Sequence, residues 1–400
     1  MITIVGGTYL ELCNEPSWDY IYGSGLRSSC FLADFDKTLQ IDFFTAIPTI
    51  KKGHLSYTSS LYNKRIVPHC FNSNRLHQFF YSHPLASPLF DRADSSEMVN
   101  ISVSGENVIL FGMLEANTCI KADRVVYDPQ SPGNPLSFKE TGSKAKSLVM
   151  ILNFTEAMAL TGKKDMNGIK DALFKTEDCE AIIIKKGAEG ATLYYDRGHT
   201  EEKIPSYITD NVFPIGSGDI FTSFFAYFWF KGHSFSESAN AASLCTASYC
   251  NTKGIGPITL DVNIKRSAFN SSDKEPGSVY IAGPFFDLSQ RWFVNEVRNA
   301  LLGMRLKVFS PFHDVGIGPA KDVVEKDIEA INQCSVMFAI ADGLDSGTMF
   351  EVGYGIAKGK KVIVFSERTN EESLKMLVGT NCIIEHDFST AIYKTYWNAF

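Results

Sequence analysis

Beyond residue 278, short apolar runs alternate with segments of helical period, and that alternation permits few folds. Residues 279–282 read as a strand and 288–302 as a helix, followed by a strand at 307–310 and a helix at 320–333. Residues 336–341 are apolar without a break, as in a central parallel strand buried on both faces. A helix at 348–358, a strand at 361–365 and a short strand at 382–384 complete the series. Four or five strands separated by helices predict a doubly wound parallel α/β sheet, with its site at the carboxyl ends of the strands.

The chain of 400 residues is long for one core and suits two. The break is expected in 265–278, a stretch rich in Ser, Lys and Asp that holds Pro276 and Gly277 and has no apolar period. The expected division is a domain at 1–265, a linker at 266–277 and a domain at 278–400. In the first domain, β-like pieces at 3–5, 40–44 and 108–111 precede parallel-strand candidates at 125–127, 148–152 and 181–185. Residues 220–230 predict a helix apolar nearly all round, and therefore buried.

A net charge of −7 argues against partners such as a nucleic acid polymer or an anionic membrane surface. The longest apolar stretch, 221–230, is too short to span a bilayer, and the first residues lack the pattern of a signal peptide. Nine scattered cysteines without paired spacing fit a reducing cytoplasm and predict no structural metal site.

Three carboxylates mark the C-terminal part. Asp327 falls inside the apolar stripe of its helix with Val323, Val324, Ile328 and Ile331. It is either used there or reaches solvent at the helix edge. Asp345 follows the central strand, where aspartates form turns and caps and where α/β proteins also bind ligands. Glu351 is expected in the first turn of the next helix. The dipole there keeps a carboxylate ionised, as a nucleophile at an anomeric carbon requires, and first-turn glutamates are common in any helix.

Taken in order, Tyr280 with Gly283-Pro284-Phe285-Phe286, Ser310-Pro311-Phe312-His313, Asp327, and 345–354 from Asp345 through Glu351 resemble nucleoside 2-deoxyribosyltransferases. That resemblance implies a flavodoxin- or Rossmann-like sheet with Glu351 as the nucleophile that forms a glycosyl ester. It implies that Asp345 and Asp327 orient the sugar and exchange protons with the leaving base. Tyr280, Gly283, Pro284, Phe285 and Phe286 would wall the nucleoside pocket, with Ser310, Ser346 and Gly347 beside the substrate; His313, at a strand end after Ser310-Pro311, either touches the ligand or is a structural loop histidine. Asn381 would reach a neighbouring subunit's site, which makes the active unit a homo-oligomer; no cofactor is implied. Arg291 and Lys321 are either ligands for a 5′-phosphate or solvated charges.

In the N-terminal part, Gly216-Ser217-Gly218-Asp219 is a Gly-rich turn entering a helix, a shape that lets backbone N–H groups approach an anion. Asp219 is placed to take a proton from an attacking hydroxyl. With Asn153-Phe154-Thr155-Glu156 and Lys186-Gly187-Ala188-Glu189-Gly190, the turn resembles the ribokinase-like, PfkB-type kinases over about 1–264. By that likeness Gly216, Ser217 and Gly218 form an anion hole and Asp219 is the base. Asn153, Glu156 and Gly187 lie at the nucleotide, and ATP with Mg²⁺ is the cofactor. The chain departs from the family pattern at Phe213-Pro214-Ile215, at 22–27, and at Lys185, where a small hydroxyl residue is common.

The expected function is cleavage of the N-glycosidic bond of a nucleoside or its 5′-monophosphate through Glu351. The sugar then passes to another base or to water, beside a kinase-like domain acting on a sugar or nucleoside. The alternatives are a kinase with a nucleotide-sensing C-terminal domain, or a regulatory nucleotide binder without turnover.

Overall fold

The computed structural model describes every residue except 91–93, 131–133, 255, 261–266, 271–274, 317 and 371. Much of the expected linker therefore lies outside the described residues. The chain divides into two compact units, one of Met1–Thr209 with Phe213–Ala268, the other of Asp210–Val212 with Phe269–Phe400.

The first unit is built on a sheet in the order Thr200–Ile204, Ala191–Tyr195, Ala181–Lys185, Lys144–Asn153, Ala116–Asp128, Val99–Phe111, Ile2–Val5, Ile41–Ile47, Ile66–Asn72. Neighbours pair in parallel except for the two outermost strands at the Thr200–Ile204 edge, which are antiparallel. The strand pieces expected at 108–111, 125–127 and 148–152 are the apolar, buried portions of longer strands. The long polar ends of those strands carry no continuous apolar run, so hydrophobicity alone shortens them. The helix Ser217–Phe230 is buried along nearly its whole length, as its composition requires. A second sheet, in the order Trp18–Ile21, Leu10–Cys13, Gln78–Tyr81, Leu89–Phe90, has no counterpart in the sequence expectations. Its strands span only two to four residues, too few to display an alternation.

The second unit is a parallel sheet in the order Lys307–Phe309, Ser278–Ala282, Val336–Ile340, Lys361–Phe365, Ile383–Glu385. In chain order this is 2-1-3-4-5, the doubly wound arrangement in which the crevice between the first and third strands receives the ligand. All five residues of Val336–Ile340 are buried, which explains their unbroken apolar character. On one face Tyr280, Met337 and Val364 pack against Ile331 and Val352 from the helices Ala320–Gln333 and Ser346–Ala357. The helices Leu288–Gly303 and Phe388–Trp397 pack on the sheet and on each other. The predicted α/β class is therefore what the structure has in both units. Among the described residues no helix is long and apolar enough to cross a membrane.

Candidate functional site

In the second unit a cavity of about 220 Å³ opens where the 2-1-3 strand order reverses. Gly283, Phe285 and Phe286 line it from the loop after the first strand, Asp327 from its helix, and Asp345, Gly347 and Glu351 from the segment after the third. Asp345 is at once a helix cap and a residue of the cavity wall. It caps Ser346–Ala357 by accepting from the Thr348 N–H at 2.8 Å and the Thr348 hydroxyl at 3.0 Å, and it faces the cavity.

That cap fixes the helix start at Ser346, so Glu351 stands in the second turn, not the first. The expectation of a dipole-held ionised carboxylate fails for the same reason, because the dipole falls off within the first turn. Burial instead pushes the Glu351 carboxyl up to about 8, with Asp327 and Asp345 adding repulsion against a hydrogen bond from Tyr280 that works the other way. The Tyr280 hydroxyl donates to Glu351 Oε1 at 2.8 Å, and its ring stacks on Phe309 with centroids 5.6 Å apart. Burial, then Glu351, raises the Tyr280 phenol, which keeps it a donor. Asp327 is buried, with Oδ1 lacking a partner among the described residues, and burial raises its carboxyl to about 6. A buried carboxyl oxygen without a partner costs about 1–3 kcal/mol, so Asp327 is held there at the expense of stability.

The proton uptake has a sign that can be tested. Glu351 is neutral-favouring in the fold, so the penalty for ionising it appears as pH rises from 4.5 and is complete above about 8. Glu351→Gln keeps an acceptor for Tyr280 and removes that penalty. It is expected to stabilise the second unit at pH 9 by about 2–4 kcal/mol, discounted from 1.36 kcal/mol per pK unit for partial solvent access. At pH 4 it should have no effect; thermal unfolding of both proteins at the two pH values checks this.

The wall beside these carboxyls is fixed by local hydrogen bonds. Asp287 caps the helix Leu288–Gly303 in a reciprocal pair with Gln290, whose side chain also accepts from the Phe286 N–H at 2.8 Å. Arg291 donates through Nε to the Phe285 carbonyl at 2.8 Å, so it braces this wall and does not line the cavity. Lys321 is exposed and also outside the lining. Ser310 and His313 bond each other at 3.0 Å, and His313 reaches Asn295 at 2.6 Å. Neither lines the cavity, nor do Tyr280, Pro284 and Ser346; Tyr280 acts on it through Glu351. Asn381 is exposed and away from it.

In the first unit a second cavity of about 220 Å³ lies at the start of Ser217–Phe230. Gly216, Gly218, Asn153 and Glu156, four of the residues expected at a nucleotide, line it together with Asp219, the expected base. Ser217 and Gly187 are not among the lining residues. Asn153 and Glu156 cap the helix Phe154–Thr161 reciprocally, at 2.8 and 2.9 Å. Burial, then Asp128, pushes the Glu156 carboxyl up to about 7.

The sequence expectations did not include Glu11, Arg27, Asp128 or Gln130, all of which line this cavity. Arg27 is fully buried and clamped between Glu11 and Asp219, the latter at 2.6 Å. Gln130 bonds the other oxygen of Asp219, so both are engaged. Lys185, noted only as a departure from the family pattern, donates to the buried Asp128 at 2.6 Å, where Thr222 also donates at 2.7 Å. Gly216 has φ +76°, and a side chain there would place Cβ 2.3 Å from Arg27 Nε, so only glycine fits this turn. A charged residue inside the otherwise uncharged segment 23–33 was the available signal for Arg27.

The sequence matches the family described as nucleoside 2-deoxyribosyltransferase over residues 279–386, and the pfkB family of carbohydrate kinases over 97–260. No curated protein matches the chain. Solved structures similar to it are ribokinase-family kinases. A fructokinase from Vibrio cholerae O395, described with fructose, ADP and calcium bound, is 13% identical with a TM-score of 0.48, over 63% of this chain and 93% of its own. A ribokinase from Thermotoga maritima is 16% identical with a TM-score of 0.44 over 63% and 93%. An adenosine kinase from Sinorhizobium meliloti is 11% identical with a TM-score of 0.45 over 65% and 95%. One chain thus joins a region similar to the pfkB carbohydrate kinases to a region similar to the nucleoside 2-deoxyribosyltransferases.

Proposed function

We propose that the second unit cleaves the N-glycosidic bond of a nucleoside by attack of Glu351 on the anomeric carbon. The observation that carries this reading is the meeting of Glu351, Asp327 and Asp345 in one small cavity, with Tyr280 bonded to Glu351 Oε1. As the bond to the base breaks, positive charge grows on the sugar, and Oε2, which has no partner among the described residues, captures it as an ester. Asp327 passes a proton to the departing base and takes it back when a second base or water attacks the ester. Phe285, Phe286 and Phe350 line the cavity, and aromatic side chains suit a planar base. The described lining residues include three carboxyls and no Lys or Arg, which favours an uncharged nucleoside over its 5′-monophosphate.

The two carboxyls titrate at about 8 and about 6 and share one proton between those values. The chemistry needs Glu351 ionised and Asp327 protonated, so between those values the reactive form is the minor one, in which the shared proton has moved from Glu351 to Asp327. The pH profile of kcat/KM for base release is therefore expected to be bell-shaped, with limbs near 6 and 8 and its top near 7. Purified protein tested against a panel of nucleosides and their monophosphates, with and without a second free base, reads both the profile and the acceptor. Absence of base release across the panel would sink this reading.

We read the first unit as a nucleotide site in which Asp219 stands where a phosphoryl acceptor's proton would go. The donor set suits the Mg²⁺ that accompanies a nucleotide. Such an ion takes one or two protein carboxylates besides phosphates and water; Asp128 Oδ1 has no partner among the described residues, and Glu156 lines the same cavity. Bound there, the ion would neutralise phosphate charge. A second reading, nucleotide binding without phosphoryl transfer, is favoured by the engagement of both Asp219 oxygens by Arg27 and Gln130. Phosphorylation of any hydroxyl in a panel of sugars and nucleosides, lost in Asp219→Asn, would decide for transfer.

A further inference from the structure

Two side-chain cations reach the turn at Gly216–Gly218 from opposite parts of the first unit. Arg27, 1% exposed, comes from the helix Gly23–Phe35, and Lys185 closes the strand Ala181–Lys185. The two Arg27 amino groups each engage a carboxylate, Glu11 and Asp219, but Nε is buried without a partner among the described residues and lies against Gly216. The Lys185 ammonium stands 3.3 Å from where a Cβ of Gly218 would be. Among the described residues it pairs with Asp128 alone, and an ammonium carries three donors, so two remain. No side chain caps the helix that starts at this turn. The unsatisfied groups at this point are thus donors: a guanidinium N–H, ammonium N–H groups and the N-terminal end of a helix. Of the four acids that line the same cavity, Glu11, Asp128 and Asp219 are each already paired with one of the two cations, and burial pushes the fourth, Glu156, up to about 7, which favours its neutral form.

We propose that Arg27 and Lys185 bracket the terminal phosphate of a bound nucleoside triphosphate at the Gly216–Gly218 turn. This rests on the reading of the first unit as a nucleotide site. Arg27 acts as a fixed donor whose orientation Glu11 and Asp219 set. Lys185 acts as a point charge that Asp128 holds back until a polyanion competes for it. Asp128 thereby becomes a restraint on phosphate affinity, which gives the proposal an unusual sign. Removing this carboxylate should tighten binding, whereas removing Lys185 as well should weaken it.

The experiment is calorimetric titration of the full-length protein with ATP in excess EDTA, so that no metal ion contributes. Wild type, Asp128→Asn and the double variant Asp128→Asn with Lys185→Met are compared. The double variant removes both members of the ion pair and leaves no buried charge unpaired, and an unfolding transition first shows each protein to be folded. Asp128→Asn is expected to bind ATP about three-fold or more tightly than wild type, and the double variant about ten-fold or more weakly than Asp128→Asn and below wild type. Equal affinity of the double variant and wild type would overturn the bracket while leaving the nucleotide site in place. No binding of ATP by wild type, with or without Mg²⁺, would overturn both.

Discussion

Glu351→Ala is expected to lower base release from a nucleoside by roughly 10⁴-fold or more, because in the proposed mechanism the residue forms the bond on which every later step depends. The loss should fall on kcat with little change in KM, since the aromatic wall and Asp345 are untouched by the substitution. Asp327→Asn, which keeps the shape of the side chain but cannot cycle a proton, should cost about 10²–10⁴-fold. It should cost least for substrates whose base leaves without protonation. Rates measured on both variants over several nucleosides separate these roles. Equal losses across all leaving bases in Asp327→Asn would count against Asp327 as the acid. The result cannot be ascribed to a collapsed fold, because truncating Glu351 removes a buried carboxyl that already opposes stability at neutral pH.

Arg27→Met should destabilise the first unit by about 3–5 kcal/mol, since it leaves Glu11 and Asp219 facing each other without the charge between them. The side chain is among the largest fully buried groups, and it lies over Tyr22 with the guanidinium 5.2 Å from the ring centroid. For a unit of this size the loss corresponds to a fall of roughly 10 °C in its unfolding temperature. Converting Glu11 and Asp219 to Gln and Asn in the same protein should restore most of it, because the cost arises from the unpaired acids and not from lost packing. A melting temperature unchanged in Arg27→Met would show that the clamp carries no net charge energy.

The second unit was legible where the chain states its geometry locally. A continuous apolar run fixed the central strand Val336–Ile340, and the apolar stripe with Asp327 inside it pointed to a carboxyl on the inward face. The loop after that strand carried two readings for Asp345; the cap is present, and the helix it caps borders the cavity with its first turn. The state of Glu351 was not legible. Its burial depends on Tyr280 from another strand and Asp327 from another helix, and its place in the helix depends on a cap that moves the start to Ser346. The nucleotide-like turn of the first unit was visible as Gly216-Ser217-Gly218-Asp219, but its surroundings were not. Glu11 lies in a four-residue strand and Arg27 in a helix, each about two hundred positions from Asp219 in the chain, and nothing in their spacing announces the clamp. Asp128 gave a fainter sign, an acid directly after the apolar residues 125–127, where a strand's carboxyl end meets a ligand.

The proposed ester on Glu351 is open to mass spectrometry of the protein mixed with a nucleoside in the absence of an acceptor base and quenched rapidly. A pentosyl adduct is expected that maps to the peptide containing Glu351, is absent from Glu351→Gln, and disappears when a free base is added. Base release at the wild-type rate in Glu351→Gln, with no adduct on any peptide, would contradict it.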